Sequence, residues 1–146
     1  MVLGDKLFEG KGKSAGPSYI KSIDAEGVTS LFAWTAELKG MGKAKGIDGM
    51  LNVTAKSMAP PKGVAGAKDK VMFFTMTGDM AVARGFDLMK MTMGTNPSAV
   101  GLWSFMRMSE KLGFLNDVIA VVTMQAKDPM WMEFTITIQE WKLANS

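Results

Sequence analysis

Hydrophobic and polar side chains alternate along WMEFTITIQEW, residues 131–141: Met132, Phe134, Ile136 and Ile138 share one parity, and Glu133, Thr135, Thr137 and Gln139 share the other. A period of two marks a strand with one face in a core and the other in water. VTSLFAWTAEL, residues 28–38, repeats the pattern, with Val28, Phe32, Trp34, Ala36 and Leu38 against Thr29, Thr35 and Glu37. Whatever fold this chain adopts must accommodate long, half-buried strands.

The segments between such runs have turn chemistry. LKGMGKAKG (38–46), APPKGVAGAKDK (59–70), TGD (77–79), GTNPSAVG (94–101) and AKDPM (126–130) are rich in Gly, Pro, Asn, Asp and Lys. They divide the chain into about eight strands, near 18–24, 28–39, 42–55, 71–77, 79–91, 100–108, 115–126 and 131–141, with room for one short helix within 1–16 or 94–100. Long consecutive antiparallel strands leave exposed edges in an open sheet, so an all-β, closed antiparallel eight-stranded barrel is expected, with a two-sheet β-sandwich as the alternative. Eight strands enclose an interior just wide enough for side chains or one small ligand. At 146 residues, with no internal repeat, the chain is expected to form a single barrel domain over 1–146.

Composition narrows the chemistry. The chain contains no cysteine and no histidine, so disulfides, thiolate nucleophiles, the Ser/His/Asp triad and the commonest zinc ligands are all excluded. Remaining catalytic options rest on carboxylates, Lys, Tyr or oriented dipoles. The formal charge is +3, and fifteen of the seventeen basic residues are Lys, with Arg84 and Arg107 the only arginines. No Arg-rich stripe interleaved with aromatics is present, so no nucleic-acid partner is expected. The start, MVLGDKLFEG, lacks a secretory pattern, and VIAVV (118–122) is far shorter than the ~20 residues of a membrane helix, so a cytoplasmic protein with no membrane span is expected. GMGKAKG (40–46) has its glycines wrongly spaced for a dinucleotide loop, and no cofactor is expected.

Fifteen methionines stand out in a chain of this length. In LMKMTMG, residues 88–94, Met89, Met91 and Met93 share one face of a strand, opposite Lys90 and Thr92. Met106 and Met108 do the same in FMRMS. A copper site would need several sulfurs converging, with Cys or His nearby, and neither residue exists here, so no metal is expected. Flexible, polarizable methionines suit either core packing or the wall of an apolar ligand cavity, and the cavity reading is preferred.

Residues 109–116 carry S-x-K-L-x-x-L-N as Ser109, Lys111, Leu112, Leu115 and Asn116, and the last strand ends in Glu140-Trp141-Lys142, with weaker echoes at Gly63-Val64 and Gly78-Asp79. In these motifs the chain resembles a family of small, largely uncharacterised microbial proteins with a calycin-like barrel, similar in architecture to allene oxide cyclases and lipocalins. The resemblance spans roughly residues 12–142. Thr123-Met124-Gln125 and Met80 to Gly85 depart from the aromatic, acidic and Trp/Gly-rich strands of the pattern. It implies a barrel with a hydrophobic pocket and implies no particular reaction.

A mainly apolar cavity needs a few polar groups to orient a ligand. Arg107, between Met106 and Met108, offers a fork for a carboxylate, although an outward Arg107 is the simpler reading. Asn116 ties down a strand entry or meets a ligand. Glu140 shares the parity of Phe134, Ile136 and Ile138 and is the acid/base candidate, or else an ion-pair partner of Arg107 or Arg84. Trp34, on the face of Phe32 and Leu38, is placed inside, and Trp141 outside, where an exposed Trp favours a homo-oligomer, most simply a dimer. The candidate ligand-binding set is therefore Trp34, Met89, Met91, Met93, Met106, Arg107, Met108, Asn116 and Glu140. The leading expectation is a non-enzymatic binder of a small apolar or amphipathic molecule. A solid-cored structural or interaction homo-oligomer and a cofactor-independent isomerase or cyclase on an apolar substrate are the alternatives.

Overall fold

The computed structural model describes residues 2–60, 63–90 and 94–142. Nine antiparallel strands follow one another: β1 (Val2–Ser14), β2 (Tyr19–Asp24), β3 (Gly27–Gly40), β4 (Gly49–Ala59), β5 (Ala65–Thr75), β6 (Met80–Lys90), β7 (Ser98–Met108), β8 (Ile119–Ala126) and β9 (Phe134–Lys142). Each of β3 to β9 pairs with its neighbours in sequence. Closure comes from β1, which pairs with β9 on one side and with β3 on the other. Eight strands form the closed barrel, and β2 folds back along the first half of β3, outside the ring. The barrel expected from alternation forms, and the sandwich does not.

Three expectations for the chain ends and turns are corrected. Residues 1–16 were assigned at most a short helix, yet Val2–Ser14 is the strand that closes the barrel. Ala65–Asp69, read as loop, opens β5. Residues 42–46, read as the start of a strand, lie outside one: Gly42–Ala44 forms a short 3-10 turn before β4.

β1 was hidden by its glycines, and geometry shows why they are there. A Cβ at Gly10 would collide with the carbonyl of Glu37 on β3, and one at Gly12 with the ring of Phe134 on β9. β1 therefore approaches both neighbours more closely than side chains allow elsewhere, and it carries little hydrophobic signal at the positions that matter most.

The two ends of the barrel differ. At one end Gly42–Ala44 and a second 3-10 segment, Glu110–Leu115, fold inward, and Ala44, Leu112 and Leu115 are completely buried with Leu7 beneath them. This explains the Ser109–Asn116 motif structurally: Ser109 Oγ accepts a hydrogen bond from the Met80 amide, and Leu112 and Leu115 plug the barrel. Between the ends the core is aromatic. Phe8 meets Phe73 edge to face at 5.1 Å, Trp34 stacks on Trp103 at 6.0 Å, and Phe134 sits edge-on to both Trp34 and Trp131. The β1–β2, β4–β5, β6–β7 and β8–β9 connections lie at the other end, where the described residues leave the interior open as a cavity. Among the described residues no helix is long and apolar enough to cross a membrane.

Gly10→Ala is expected to destabilise the protein by at least 1–3 kcal/mol, the usual cost of overpacking a site that cannot relax. Gly113→Ala, where a Cβ meets nothing within 4 Å, is expected to change stability by less than ~0.5 kcal/mol. Urea unfolding of both variants checks the contrast, and equal stabilities would contradict this account of closure.

Candidate functional site

The open end holds an internal cavity of about 330 Å³. Its wall is mainly apolar: Phe32, Trp34, Met89, Ala99, Met124, Trp131 and Phe134 all line it, with Ser14, Ser30 and Ser57 near the mouth. Trp131 is the one described non-glycine residue with positive φ, at 57°. The β8–β9 connection is wound around Asp128, whose Oδ1 accepts from the amides of Met130 and Met132 and whose Oδ2 accepts from Glu133. These amide donors, Met132 foremost, hold the Asp128 carboxyl below its usual range. The Trp131 carbonyl accepts from the Ser14 hydroxyl and amide, which ties the loop to β1.

One charged residue lines this cavity: Asp87, 6% exposed. Its neighbour Asp69 is 2% exposed. The register explains their meeting. Asp69 on β5 stands opposite Gly85 on β6, Gly85 opposite Trp103 on β7, and Asp87 opposite Gly101. Asp69 and Asp87 are thus diagonal neighbours on the inner wall, with Asp87 one inward position nearer the mouth. Gly85 leaves space for the Trp103 indole and Gly101 for the Asp87 carboxyl, since a Cβ at either would overlap them. Trp103 Nε1 donates to Asp69 Oδ2 at 3.1 Å.

The register sets the two carboxyls beside each other on the inner wall, where each acts on the other's hold on a proton, and a hydrogen bond between two acids needs a proton on one of them. Oδ1 of each is buried and receives no donor from the other described residues. Burial is the first cause that raises both groups, because the charged form loses its water. Asp87 is pushed up to about 9, with the hydrogen bond and charge of Asp69 adding to burial. For Asp69 the hydrogen bonds from Asp87 and Trp103 work against the rise. Of the two, Asp87 keeps its proton across neutral pH.

The residues singled out from the sequence divide between the two ends. Trp34 and Met89 line the cavity. Met91 and Met93 lie outside the described residues. Met106 falls on the outward parity of Val100 and Ser104 and is exposed, and the register shift between Val82 and Ala83 turns Arg107 outward as well. Met108 is half-buried against the core at the plugged end, and Asn116 is exposed, capping the Glu110–Leu115 turn. Glu140 is also at that end. Its Oε2 lies 3.2 Å from Lys43 and 3.9 Å from Lys142, so lysines take the place proposed for Arg107 or Arg84.

Asp69, Asp87 and Met124 escaped the sequence reading. An acid on the parity of Ala81, Ala83 and Met89 was the available signal for Asp87. Among the described residues no group of three or more His, Asp or Glu side chains is placed to hold a metal ion. A larger hollow, about 1210 Å³, lies against the outer wall among Tyr19, Lys21, Lys56, Lys68, Arg84 and Phe86. There the crowding of Lys21, and then of Lys68, holds the Lys56 ammonium below its usual range.

The raised acid at the cavity floor sets a pH dependence. Below the unfolded value near 4 both states carry the proton. Above it the unfolded chain releases a proton that folded Asp87 retains, so stability falls as pH rises from about 4 toward 9. Asp87→Asn, which mimics the protonated side chain, is expected to flatten this slope and to raise the melting temperature at pH 8 relative to the parent. Thermal unfolding across pH 4–9 tests this, and parallel curves for the two proteins would contradict the proton assignment.

No protein-family model matches the chain, and no curated protein matches it in sequence. Its fold is found among solved structures. A β-barrel-like protein from Acinetobacter baumannii AYE matches with a TM-score of 0.78 at 14% identity, over 97% of this chain and 96% of that one. A protein of unknown function from Clostridium acetobutylicum ATCC 824 matches with a TM-score of 0.79 at 10% identity, over 97% and 100%. An enzyme from Penicillium herquei matches with a TM-score of 0.65 at 17% identity, over 95% and 94%. At these identities the likeness is one of fold: the chain is similar to whole β-barrel proteins along nearly its full length.

Proposed function

We propose that this protein binds a small, uncharged, predominantly apolar molecule bearing an oxygen atom, held inside the open end of the barrel. The observation that carries the reading is the cavity itself: a mainly apolar wall with serines near the mouth and one acid, Asp87, buried at its floor. Small-molecule sites have this composition, and about 330 Å³ is near the lower limit of their usual size. Burial of apolar ligand surface supplies the affinity, at roughly 25 cal/mol per Å² before the costs of association. A fatty-acid carboxylate entering head first would be buried against two acids with no basic group on the cavity wall to pair with it. An uncharged carbonyl, hydroxyl or ether oxygen meets no such repulsion, and its polar end is expected to face the pair.

Glu140 lies at the plugged end and takes no part in this site. Glu140→Gln is expected to leave ligand affinity unchanged and to alter stability by at most ~1 kcal/mol, as for other partly exposed ion pairs. Met124→Trp, which fills the cavity, is expected to abolish binding. The test is non-denaturing mass spectrometry of the purified protein with organic extraction of any adduct, followed by titration with uncharged ketones, terpenoid alcohols and fatty acids, read by the fluorescence of Trp34 and Trp131. An apo mass with no uptake across the panel would overturn the reading and leave the cavity as ordinary packing space.

A further inference from the structure

The Asp69–Asp87 pair has more than a ligand anchor requires. A single buried hydroxyl would orient an oxygen at lower cost than two carboxyls sharing a proton in an apolar interior. The pair is also built to keep its geometry. Asp69 is held by the Trp103 indole N–H at 3.1 Å, Trp103 is fixed by its stack on Trp34, and Gly85 and Gly101 clear the space both groups occupy. Of the two acids, only Asp87 lines the inner cavity, so it alone can touch a bound molecule there while Asp69 stands behind it.

We propose that Asp69 and Asp87 form a proton-transfer site that interconverts the keto and enol forms of an uncharged carbonyl compound held in the cavity. The inference rests on the binding reading above. The reactive form of the pair carries one proton on Asp87 and an ionised Asp69; in the first step the free oxygen of Asp87 takes a proton from the carbon next to the carbonyl as its own proton moves toward Asp69. The C–H electron pair becomes the new C=C bond, and the carbonyl π pair moves onto oxygen. The proton shared by the acids shifts onto Asp69, so the negative charge of the pair passes to the substrate as an enolate. In the second step Asp87 delivers its new proton to the enolate oxygen and the shared proton returns. The pair ends with the one proton and one charge it began with, and no oxidant, reductant or metal is consumed.

The chemistry explains why two acids are needed. A lone exposed carboxylate is a weak base near neutral pH. One placed in an apolar wall beside a second acid binds a further proton more tightly and is matched more closely to carbon acids. The second acid gives the shared proton somewhere to go without water. Asp87 is the catalytic residue, and Asp69, which acts through Asp87, is a positioning residue.

The experiment follows hydrogen–deuterium exchange at the α-carbons of cyclohexanone, 1-indanone and 2-tetralone in deuterated buffer by mass spectrometry, with binding of each ketone measured in parallel by tryptophan fluorescence. For a ketone that binds, exchange is expected at least ~10²-fold above buffer, the lower end of what a placed acid/base contributes. Asp87→Asn, which keeps the shape and cannot accept the proton, is expected to bind within threefold of the parent and to exchange at the buffer rate. Asp69→Asn is expected to slow exchange without weakening binding, and Met124→Trp to abolish both. A ketone that binds yet exchanges no faster than with Asp87→Asn overturns the proton-transfer inference and leaves binding intact. Failure of all three to bind overturns the binding reading and this inference together.

Discussion

Everything in this fold depends on one strand being held from both sides. β1 pairs with β9 and with β3 at once, from Phe8 to Gly12, and without that double pairing the other strands would end in two unpaired edges. The close approach is possible because Gly10 and Gly12 present no side chain where the backbone of Glu37 and the ring of Phe134 already sit. Closure then fixes which parity of every other strand faces inward. The aromatic stack of Trp34, Trp103 and Phe134 follows from closure, because those rings come from β3, β7 and β9, which meet only across the interior.

The same economy of small residues recurs deeper in the barrel. Gly85 and Gly101 do for Trp103 and Asp87 what Gly10 and Gly12 do for the backbone: each removes a Cβ so that something larger can occupy the space. One end of the interior is then filled, by Leu7, Ala44, Leu112 and Leu115, and the other is left with a cavity. Loops are free to differ at an end without disturbing the ladder, so a plugged end and an open end can coexist on one barrel.

Alternation revealed most of the barrel because strands such as β3 and β9 carry large apolar residues on one parity and polar ones on the other. It failed where the inward residues are small. β1 presents glycines, and the first half of β5, AGAKD, has the composition of a turn, so its inward Asp69 was placed in a loop. Asp87 was legible in principle, as an acid on the inward parity of Met89, Ala83 and Ala81, but Gly85 beside it weakened the pattern. Methionine misled in the other direction. Met124 is the one buried methionine among the described residues, whereas Met72, Met76 and Met106 face solvent. An unbranched side chain with a soft sulfur is tolerated on either face, so methionine spacing on its own says little about which face is the wall. Glu140 did fall on the inward parity, yet at the last inward position before the barrel closes, where Lys43 reaches it.

Stability and chemistry oppose each other at the cavity floor. Two acids in an apolar wall cost folding free energy that a hydrophobic pair of the same volume would not, and the cost grows with every pH unit over which the folded protein keeps a proton the unfolded chain has released. The rest of the fold offsets that cost locally: Trp103 donates to Asp69, and Asp87 keeps its proton across neutral pH and so avoids burying a second charge. What remains is an acid with an unusual affinity for its proton, facing a cavity of about 330 Å³. A barrel packed for stability alone would have filled that space, as this one does at its other end. The contrast between the two ends of one interior is therefore the strongest structural argument that the open end is a site.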